Sequence, residues 1–294
     1  MRPPLVSTYS IVARDPENGD LGVAVQSKFL AVGAVVPWAR AGVGAIATQA
    51  RANTIYGPNG LHLLRHGVPA QQTINQLIAG DEDRAQRQVG IVDAHGNAAT
   101  YTGSACQAWA GGRTGSEYAA QGNILVSQAT VDALAETFEA TTGTLAARLL
   151  AALAAGQAAG GDRRGMQSAA ILVVRANGGY NGFNDRYIDL RVDDHPAPIE
   201  ELRRLMVLHQ LYLEPTAPGA AIPLTEALIR EIQTMLAAAG EYHDAPTGIG
   251  DQATEDALQR YVGRENLEMR EATLTSIDPR VLEYMRAHYR APGA

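Results

Sequence analysis

The chain has 294 residues and a formal net charge of −7, and 46% of its residues are hydrophobic while only 5% are aromatic. Small aliphatic side chains must therefore build the core, and the length suits one large domain with a smaller one. An acidic chain is a poor partner for nucleic acid or an anionic membrane. The longest apolar stretch, 29–39, is well below the ~20 residues of a membrane span, and the first residues do not form a secretory signal. We expect a soluble, cytoplasmic protein.

The first regular element predicted is a β-hairpin. Two runs of small and β-branched residues, 9–13 and 21–26, flank the turn-forming residues 16–20. Thr8 and Ser10 place hydroxyl groups at the opening of the first strand. This is where an N-terminal-nucleophile enzyme carries its attacking hydroxyl. The structural alternative is an ordinary hairpin in which the two hydroxyls share one face.

The rest of the larger domain alternates between groups of strands and groups of helices. Strands are predicted at 31–37, 43–47, 88–93, 98–102, 168–174 and 186–192, and helices at 60–66, 69–79, 131–157 and 199–213. Because strands and helices come in blocks, the order predicts an α+β layered domain, not a strict βαβ alternation.

The C-terminal part of the chain predicts a small helical unit. Residues 214–222 have the composition of a linker, and helices at 224–239 and 253–262 follow it, joined by a turn-rich loop. We take 1–213 as the first domain, 223–272 as the helical domain, and 273–294 as a polar, partly helical tail.

Polar clusters stand at the ends of several apolar segments. Amides and arginines in such positions favour a pocket for a small polar or carboxylate-bearing ligand, although turns and caps explain them too. The binding candidates are Thr48, Gln49, Arg51, Gln88, Thr102, Gln121, Asn123, Asp162, Arg164 and Gln167.

Three other patterns give only weak indications of a functional site. His62 and His66 share one helix face, but no third ligand accompanies them, so we expect a surface pair. Cys106 is the single cysteine, which excludes an intrachain disulfide, and pairing with His95 as a nucleophile is less typical than burial. The glycines of 42–47 lie inside a strand, which excludes a dinucleotide fingerprint. We predict no metal and no cofactor.

Several segments resemble a bacterial and archaeal family of unknown function that is assigned to the Ntn-hydrolase-like superfamily. They are STYSIVARD at 7–15, GVAVQSKFLAVGAVVP at 22–37, GVGAIATQ at 42–49, QGNIL at 121–125 and GGDRRGMQSAAILVV at 160–174. The resemblance covers about 7–213 and implies a four-layer αββα sandwich.

The same resemblance implies roles for residues near the amino terminus. Thr8 matches the nucleophile, with Ser10 beside it, and Lys28 lies near the basic position of proteasome-like members. The later lysine of those members would fall within 33–35, which has none. The nucleophile's own amine would act as base, so residues 1–7 would have to be removed.

The C-terminal unit resembles peptidoglycan-binding domains. The residues that carry this likeness are Ile229, Gln233, Leu236 and Gly240, followed by the segment 248–258. It implies peptidoglycan fragments as a partner, and packing within an oligomer is the alternative.

Two functions follow for the whole chain. The first is an Ntn-type amidohydrolase that cleaves a small amide or peptide-like C–N bond through Thr8. The alternative is a non-catalytic protein that keeps the fold and binds a small ligand. In both cases we expect a homo-oligomer with a small-molecule ligand, with no role for nucleic acid or membrane.

Overall fold

A computed structural model describes residues 8–289. The chain divides into two compact units with the boundary between Leu205 and Met206. The boundary falls within the helix α5, which spans Pro198–Leu213. No described helix is both long and apolar enough to cross a membrane.

The first unit contains ten strands and four helices before α5, within the described residues. In chain order they are β1 Thr8–Arg14, β2 Leu21–Ser27, β3 Pro37–Arg40, β4 Gly44–Ala50, α1 Tyr56–Arg65, α2 Ala70–Ala79, β5 Arg87–Asp93, β6 Ala98–Thr102, β7 Gly111–Gly115, β8 Tyr118–Asn123, α3 Ala129–Ala140, α4 Leu145–Ala158, β9 Ser168–Val174 and β10 Arg186–Val192.

The strands form two antiparallel sheets that pack face to face. The six-stranded sheet has the order β10-β9-β2-β1-β8-β7, and the four-stranded sheet has the order β3-β4-β5-β6. Helices α3 and α4 cover the outer face of the larger sheet, and α1 and α2 cover the outer face of the smaller one. The predicted α+β class and four-layer αββα arrangement are confirmed.

Alternation along β1 shows how the sequence builds these layers. Tyr9 points outward, where its hydroxyl donates to the carbonyl of Leu153 in α4 at 3.2 Å. Ser10 points inward and donates to Gln49 of the opposite sheet at 2.6 Å. Because successive side chains of a strand take opposite faces, one strand contributes to two layers of the core.

Between the sheets, the core is aliphatic at one end and polar at the other. Small side chains such as Val12, Val23, Ala45 and Ala47 fill the aliphatic part. They fit the low aromatic content, because two sheets that face each other with small side chains pack densely without large rings.

The strand predicted at 31–37 is wrong. Ala31 has a left-handed backbone with φ of 53°, and a 3-10 turn, Val32–Ala34, follows it. The amide of Val32 donates to Ser168 Oγ at 3.1 Å. Gly33 lies so close to β9 that an added Cβ would be 2.7 Å from the Cβ of Ala170. An apolar run alone does not distinguish a strand from a turn that packs against a sheet.

Two other regions differ from the prediction. The helix predicted at 131–157 is two helices, because the chain breaks at 141–144 and the Thr144 side chain caps α4 by accepting from the amide of Ala147. Strands β7 and β8 were not predicted, since the segment around Gly111 and Gly112 lacks the apolar alternation of a strand.

The second unit consists of helices and a two-stranded ribbon. After α5 come β11 Ile222–Pro223, α6 Glu226–Ala238, α7 Gln252–Arg264, β12 Ser276–Ile277 and α8 Pro279–His288. Its core includes Leu236, Tyr261 and also Met285 of α8. Residues after 272, which the sequence analysis takes as a tail, thus contribute to this core.

A buried glutamine organises the loop between α6 and α7. Gln233 donates from Nε2 to the carbonyl of Ile249 at 2.9 Å and to Thr254 Oγ1 at 2.8 Å. Its Oε1 accepts from the amide of Gly248 at 2.8 Å. One fully buried side chain thus replaces the water that these loop groups would otherwise bind.

We expect Gln233→Leu to destabilise the second unit by about 1–3 kcal/mol, because it leaves buried polar groups without partners. Native-state hydrogen exchange of the amides in α6 and α7 reports this unit by itself. Gln252→Leu is the matched control, since Gln252 is exposed at the start of α7, where its side chain donates to Asp256. Equal protection in the two variants would contradict the role of Gln233.

Candidate functional site

One end of the first unit, which we call the Thr8 end, gathers most of the predicted polar residues. In the antiparallel register of the larger sheet, Thr8 lies opposite Ser27 of β2 on one side and opposite Asn123 of β8 on the other. In the smaller sheet, β4 ends at Ala50 beside the start of β5 at Arg87. The ends of antiparallel neighbours meet, so residues distant in sequence come together here.

The side chains that face each other across the two sheets form a buried hydrogen-bond network. Ser10 Oγ donates to Gln49 Oε1 at 2.6 Å and accepts from Gln121 Nε2 at 2.7 Å. Gln49 Nε2 donates to Gln88 Oε1 at 2.8 Å. Asn123 Nδ2 also donates to Gln88 Oε1, at 2.9 Å. The network therefore links the two sheets through their polar side chains.

Gln88 is the centre of this network. Its Nε2 donates to Thr102 Oγ1 at 2.8 Å and to the carbonyl of Gly122 at 2.7 Å. Five predicted binding residues, together with Ser10, are thus collected in one place: Gln49, Gln88, Thr102, Gln121 and Asn123. Their polar groups are largely used by one another, which makes them a support for the site.

Thr8 is fully buried in the described chain. Its hydroxyl donates to Ser27 Oγ at 3.2 Å. Gln49 Nε2 also lies 3.4 Å from the carbonyl oxygen of Thr8, so the network reaches the main chain at the start of β1. Ser27, which the sequence did not single out, is thus a side-chain partner of Thr8.

A second predicted group surrounds Asp162. This buried carboxylate accepts from the main-chain amide of Lys28 at 3.1 Å and from the guanidinium of Arg164 at 2.9 Å. The ammonium of Lys28 lies on the exposed surface, where it donates to the carbonyl of Met166 at 3.3 Å. Gln167 is also at the surface and donates to Asp194. Asp162 therefore connects the main chain at Lys28 to the loop that contains Arg164.

Thr48 does not join the inter-sheet network. It faces the α1/α2 layer and donates to the carbonyl of Asn53 at 3.1 Å. In the same layer, Arg87 donates to Asp81 at 2.8 Å and to the carbonyl of Arg51 at 2.7 Å. The hydrogen bonds from Arg87 hold the pKa of Asp81 well below its usual range.

A small cleft of about 80 Å³ opens at the Thr8 end. Two of its lining residues have left-handed backbones without being glycine, Ala50 with φ of 66° and Ile124 with φ of 52°. Such conformations cost free energy and are concentrated at functional sites. The lining residues are Ala50, Arg51, Gln86, Ala105, Cys106, Gln107, Asn123 and Ile124.

Cys106 lines this cleft as a thiol with a raised pKa. Burial is the cause of the shift, and it is only partly offset by a hydrogen bond from the backbone of Gly103. The thiol donates to the carbonyl of Arg87 at 3.3 Å. His95 lies in the turn between β5 and β6, at the opposite end of that hairpin, so the two do not form a nucleophile and base pair.

A larger cleft of about 560 Å³ lies between α1, α2 and the Asp81 loop. The carboxylate of Asp81 accepts hydrogen bonds there from Arg87, Asn53 and Tyr56. His62 lines the cleft, and its ring lies 4.4 Å from that of His66. Among residues 8–289, no group of three or more potential metal-ligating side chains is found.

Sequence reasoning missed most of the cleft wall. Gln86, Ala105, Gln107 and Ile124 carry no chemical motif, and they reach the cleft because strand ends and loops converge. One signal was available for Ser27, because the register of a hairpin whose turn is known places it opposite Thr8.

We expect Gly90→Ala to lower the free energy of unfolding by about 1–3 kcal/mol, because overpacking forces the network apart. Gly90 faces the network, and an added Cβ would lie 1.9 Å from Gln121 Oε1. Urea unfolding measures the change. Gly80→Ala is the control, since a Cβ there meets nothing within 4 Å. Equal stability of the two variants would show that the sheets are not held at a fixed separation by the network.

Comparison with known proteins agrees with the two-unit organisation. A family model described as "Family of unknown function (DUF1028)" matches residues 8–202. A second model, described as "Putative peptidoglycan binding domain", matches residues 211–285. No curated protein matches the chain.

A solved structure resembles the first unit. It is the crystal structure of a protein from Silicibacter pomeroyi that is assigned to the same family, and it is 35% identical to this chain. The match has a TM-score of 0.64 and covers 69% of this chain and 89% of that one. From the extent of the family match and this likeness, the chain belongs to the DUF1028 family and carries a peptidoglycan-binding-like domain at its C-terminal end.

Proposed function

We propose that the first unit is an amidohydrolase of the N-terminal-nucleophile type that acts on a small amide or peptide-like C–N bond. The observation that carries the proposal is the position of Thr8. It begins a central strand of an αββα sandwich, its hydroxyl lies 3.2 Å from Ser27 Oγ, and a cleft opens beside its register partner Asn123.

The chemistry requires hydrolysis of the Ser7–Thr8 peptide bond, which gives Thr8 a free α-amine. The hydroxyl oxygen then attacks the carbonyl carbon of the substrate, and the hydroxyl proton passes to the amine. The amine delivers that proton to the leaving nitrogen as the C–N bond breaks, which leaves an ester on Thr8. Water hydrolyses the ester and restores the hydroxyl.

In this proposal the surrounding residues position Thr8 and do not react. Ser27 accepts the hydroxyl hydrogen bond, and Gln49 approaches the carbonyl oxygen of Thr8 at 3.4 Å. Ser10 is engaged with Gln49 and Gln121 inside the network, so we assign it support and not attack. Lys28 has an exposed ammonium, and we assign its contribution to the main-chain contact with Asp162.

The proposal is tested by the mass and activity of the wild-type protein and of variants at Thr8. We expect the purified protein to begin at Thr8 by intact mass and to hydrolyse members of a panel of small amides. Thr8→Val keeps the shape of the side chain but removes the nucleophile, so it should retain residues 1–7 and lose activity by at least about a thousandfold. Thr8→Ser should keep measurable activity.

Ser116→Ala, at an exposed turn residue, is the control and should behave as the wild type. A wild-type protein that still begins at Met1 or Arg2, together with unchanged behaviour of Thr8→Val, would refute the assignment.

A non-catalytic binding protein is the second candidate, and the burial of Thr8 in the uncleaved chain favours it. Small amides or acids would then stabilise the protein against heat without releasing a product. Replacement of Gln49, Gln88 or Asp162 should remove that stabilisation, and a flat response to every ligand would exclude this candidate.

For the second unit we propose binding of peptidoglycan fragments. The family match supports it, and so does Ile249, which is 65% exposed in the loop that Gln233 holds in place. We expect the full-length chain to sediment with isolated peptidoglycan and Ile249→Asp to reduce the bound fraction severalfold. Met269→Asp is the control, because Met269 is 49% exposed outside this loop.

Two results would count against this role. Sedimentation no greater than in the absence of peptidoglycan would end it. A changed sedimentation coefficient of Ile249→Asp with unchanged retention on peptidoglycan would instead indicate that the loop packs between copies of the chain.

A further inference from the structure

Arg51 stands apart from the other arginines near the Thr8 end. Within residues 8–289, its guanidinium makes no hydrogen bond or ion pair, although its main-chain groups do. Arg87 is neutralised by Asp81 at 2.8 Å, and Arg164 is neutralised by Asp162 at 2.9 Å. A partly exposed cation that has no counter-ion among the described residues, beside two paired ones, is the kind of group that binds an anion.

The cleft gives this cation a defined setting. Arg51 is the one charged residue among the eight that line it. The uncharged residues include the apolar Ala105 and Ile124 and the amides of Gln107 and Asn123. Among residues 8–289, the lining therefore offers a ligand one positively charged residue, some apolar surface and several amides, and it includes no carboxylate that would compete with an anionic group.

The main chain of Arg51 is held on both sides at the wall of the cleft. Its amide donates to the carbonyl of Gln86 at 3.1 Å, and its carbonyl accepts from Arg87 at 2.7 Å. The preceding residue, Ala50, has the left-handed φ of 66° that turns the chain away from the sheet. Both backbone groups of Arg51 are thus anchored, so ligand binding does not have to order the main chain at this residue.

The size of the cleft limits the ligand. A volume of about 80 Å³ holds only a few water-sized groups, far less than the several hundred Å³ typical of a cofactor site. A carboxylate with a short aliphatic or amide group fits this space, and a guanidinium binds a carboxylate through two parallel hydrogen bonds.

We propose that Arg51 binds the carboxylate of the ligand, so that the Thr8 end selects small amides that carry a carboxylate. The statement about substrates rests on the proposed amidohydrolase function, whereas carboxylate binding does not. The two can therefore fail independently.

Binding is tested first, on full-length protein with Thr8→Val so that turnover plays no part. The probes are propionate and succinate at constant ionic strength, compared with propionamide and succinamide, by saturation-transfer NMR. We expect the acids to bind, Arg51→Gln to weaken them by about tenfold or more, and Arg51→Lys to retain part of the affinity, since lysine keeps the charge but not the bidentate geometry. The amides should be unaffected by either change.

Arg65→Gln is the matched control, because Arg65 is an exposed arginine on α1 outside the cleft, and it should bind the acids like the parent protein. Acids that bind Arg51→Gln as tightly as the parent would overturn the proposal. Displacement of succinate by inorganic phosphate or sulfate at equal concentration would overturn the selectivity for carboxylate.

Turnover is tested separately with wild-type protein. If small amides are hydrolysed, those with a carboxylate should have the higher kcat/KM, and Arg51→Gln should abolish that preference. Acid binding without any hydrolysis would refute the amidohydrolase and leave the carboxylate site standing. Hydrolysis with no preference for acids would leave the amidohydrolase standing and refute the selection of carboxylate-bearing amides.

Discussion

The contact between the two sheets at their polar end is the constraint on which the first unit depends. Burying several amide side chains in a core is unfavourable unless they satisfy one another. Gln49 and Gln88 come from one sheet, and Ser10, Gln121 and Asn123 come from the other, so their hydrogen bonds form only when the sheets have one particular separation and register. Aliphatic packing elsewhere between the sheets stabilises the fold, but it tolerates a wider range of sheet separations and registers.

That constraint explains why the candidate site is where it is. The network lies immediately behind the ends of β4 and β8 and the start of β1. Two residues with left-handed backbones, Ala50 at the end of β4 and Ile124 just after β8, line the cleft there. Arg51 follows Ala50 directly and is the one charged residue among the described residues that line the cleft. In many proteins, the binding residues lie on loops that a rigid scaffold holds in position.

Much of this could be predicted from the sequence, for physical reasons that differ between elements. The hairpin of β1 and β2 and the strands β9 and β10 were predicted because alternation, β-branching and turn residues agree locally. Polar residues after apolar segments pointed to Gln49, Gln88 and Asn123. The direction of each side chain could not be predicted, because it depends on the register of the strand. Thr48 and Gln49 are neighbours in sequence, yet they face different layers. The wall of the cleft was out of reach too, since it arises from loops that meet only in three dimensions.

The pairing of β1 on both sides has a consequence for any chain that begins at Thr8. A chain terminus usually frays, because its last residues lack neighbours on at least one side. Thr8 has Ser27 on one side and Asn123 on the other, in continuous antiparallel ladders. A new amino group created here would be held in the interior of a six-stranded sheet, with as little freedom as a residue in mid-strand. Cutting the chain at this bond would thus yield an end that is already positioned, with no further folding step to order it.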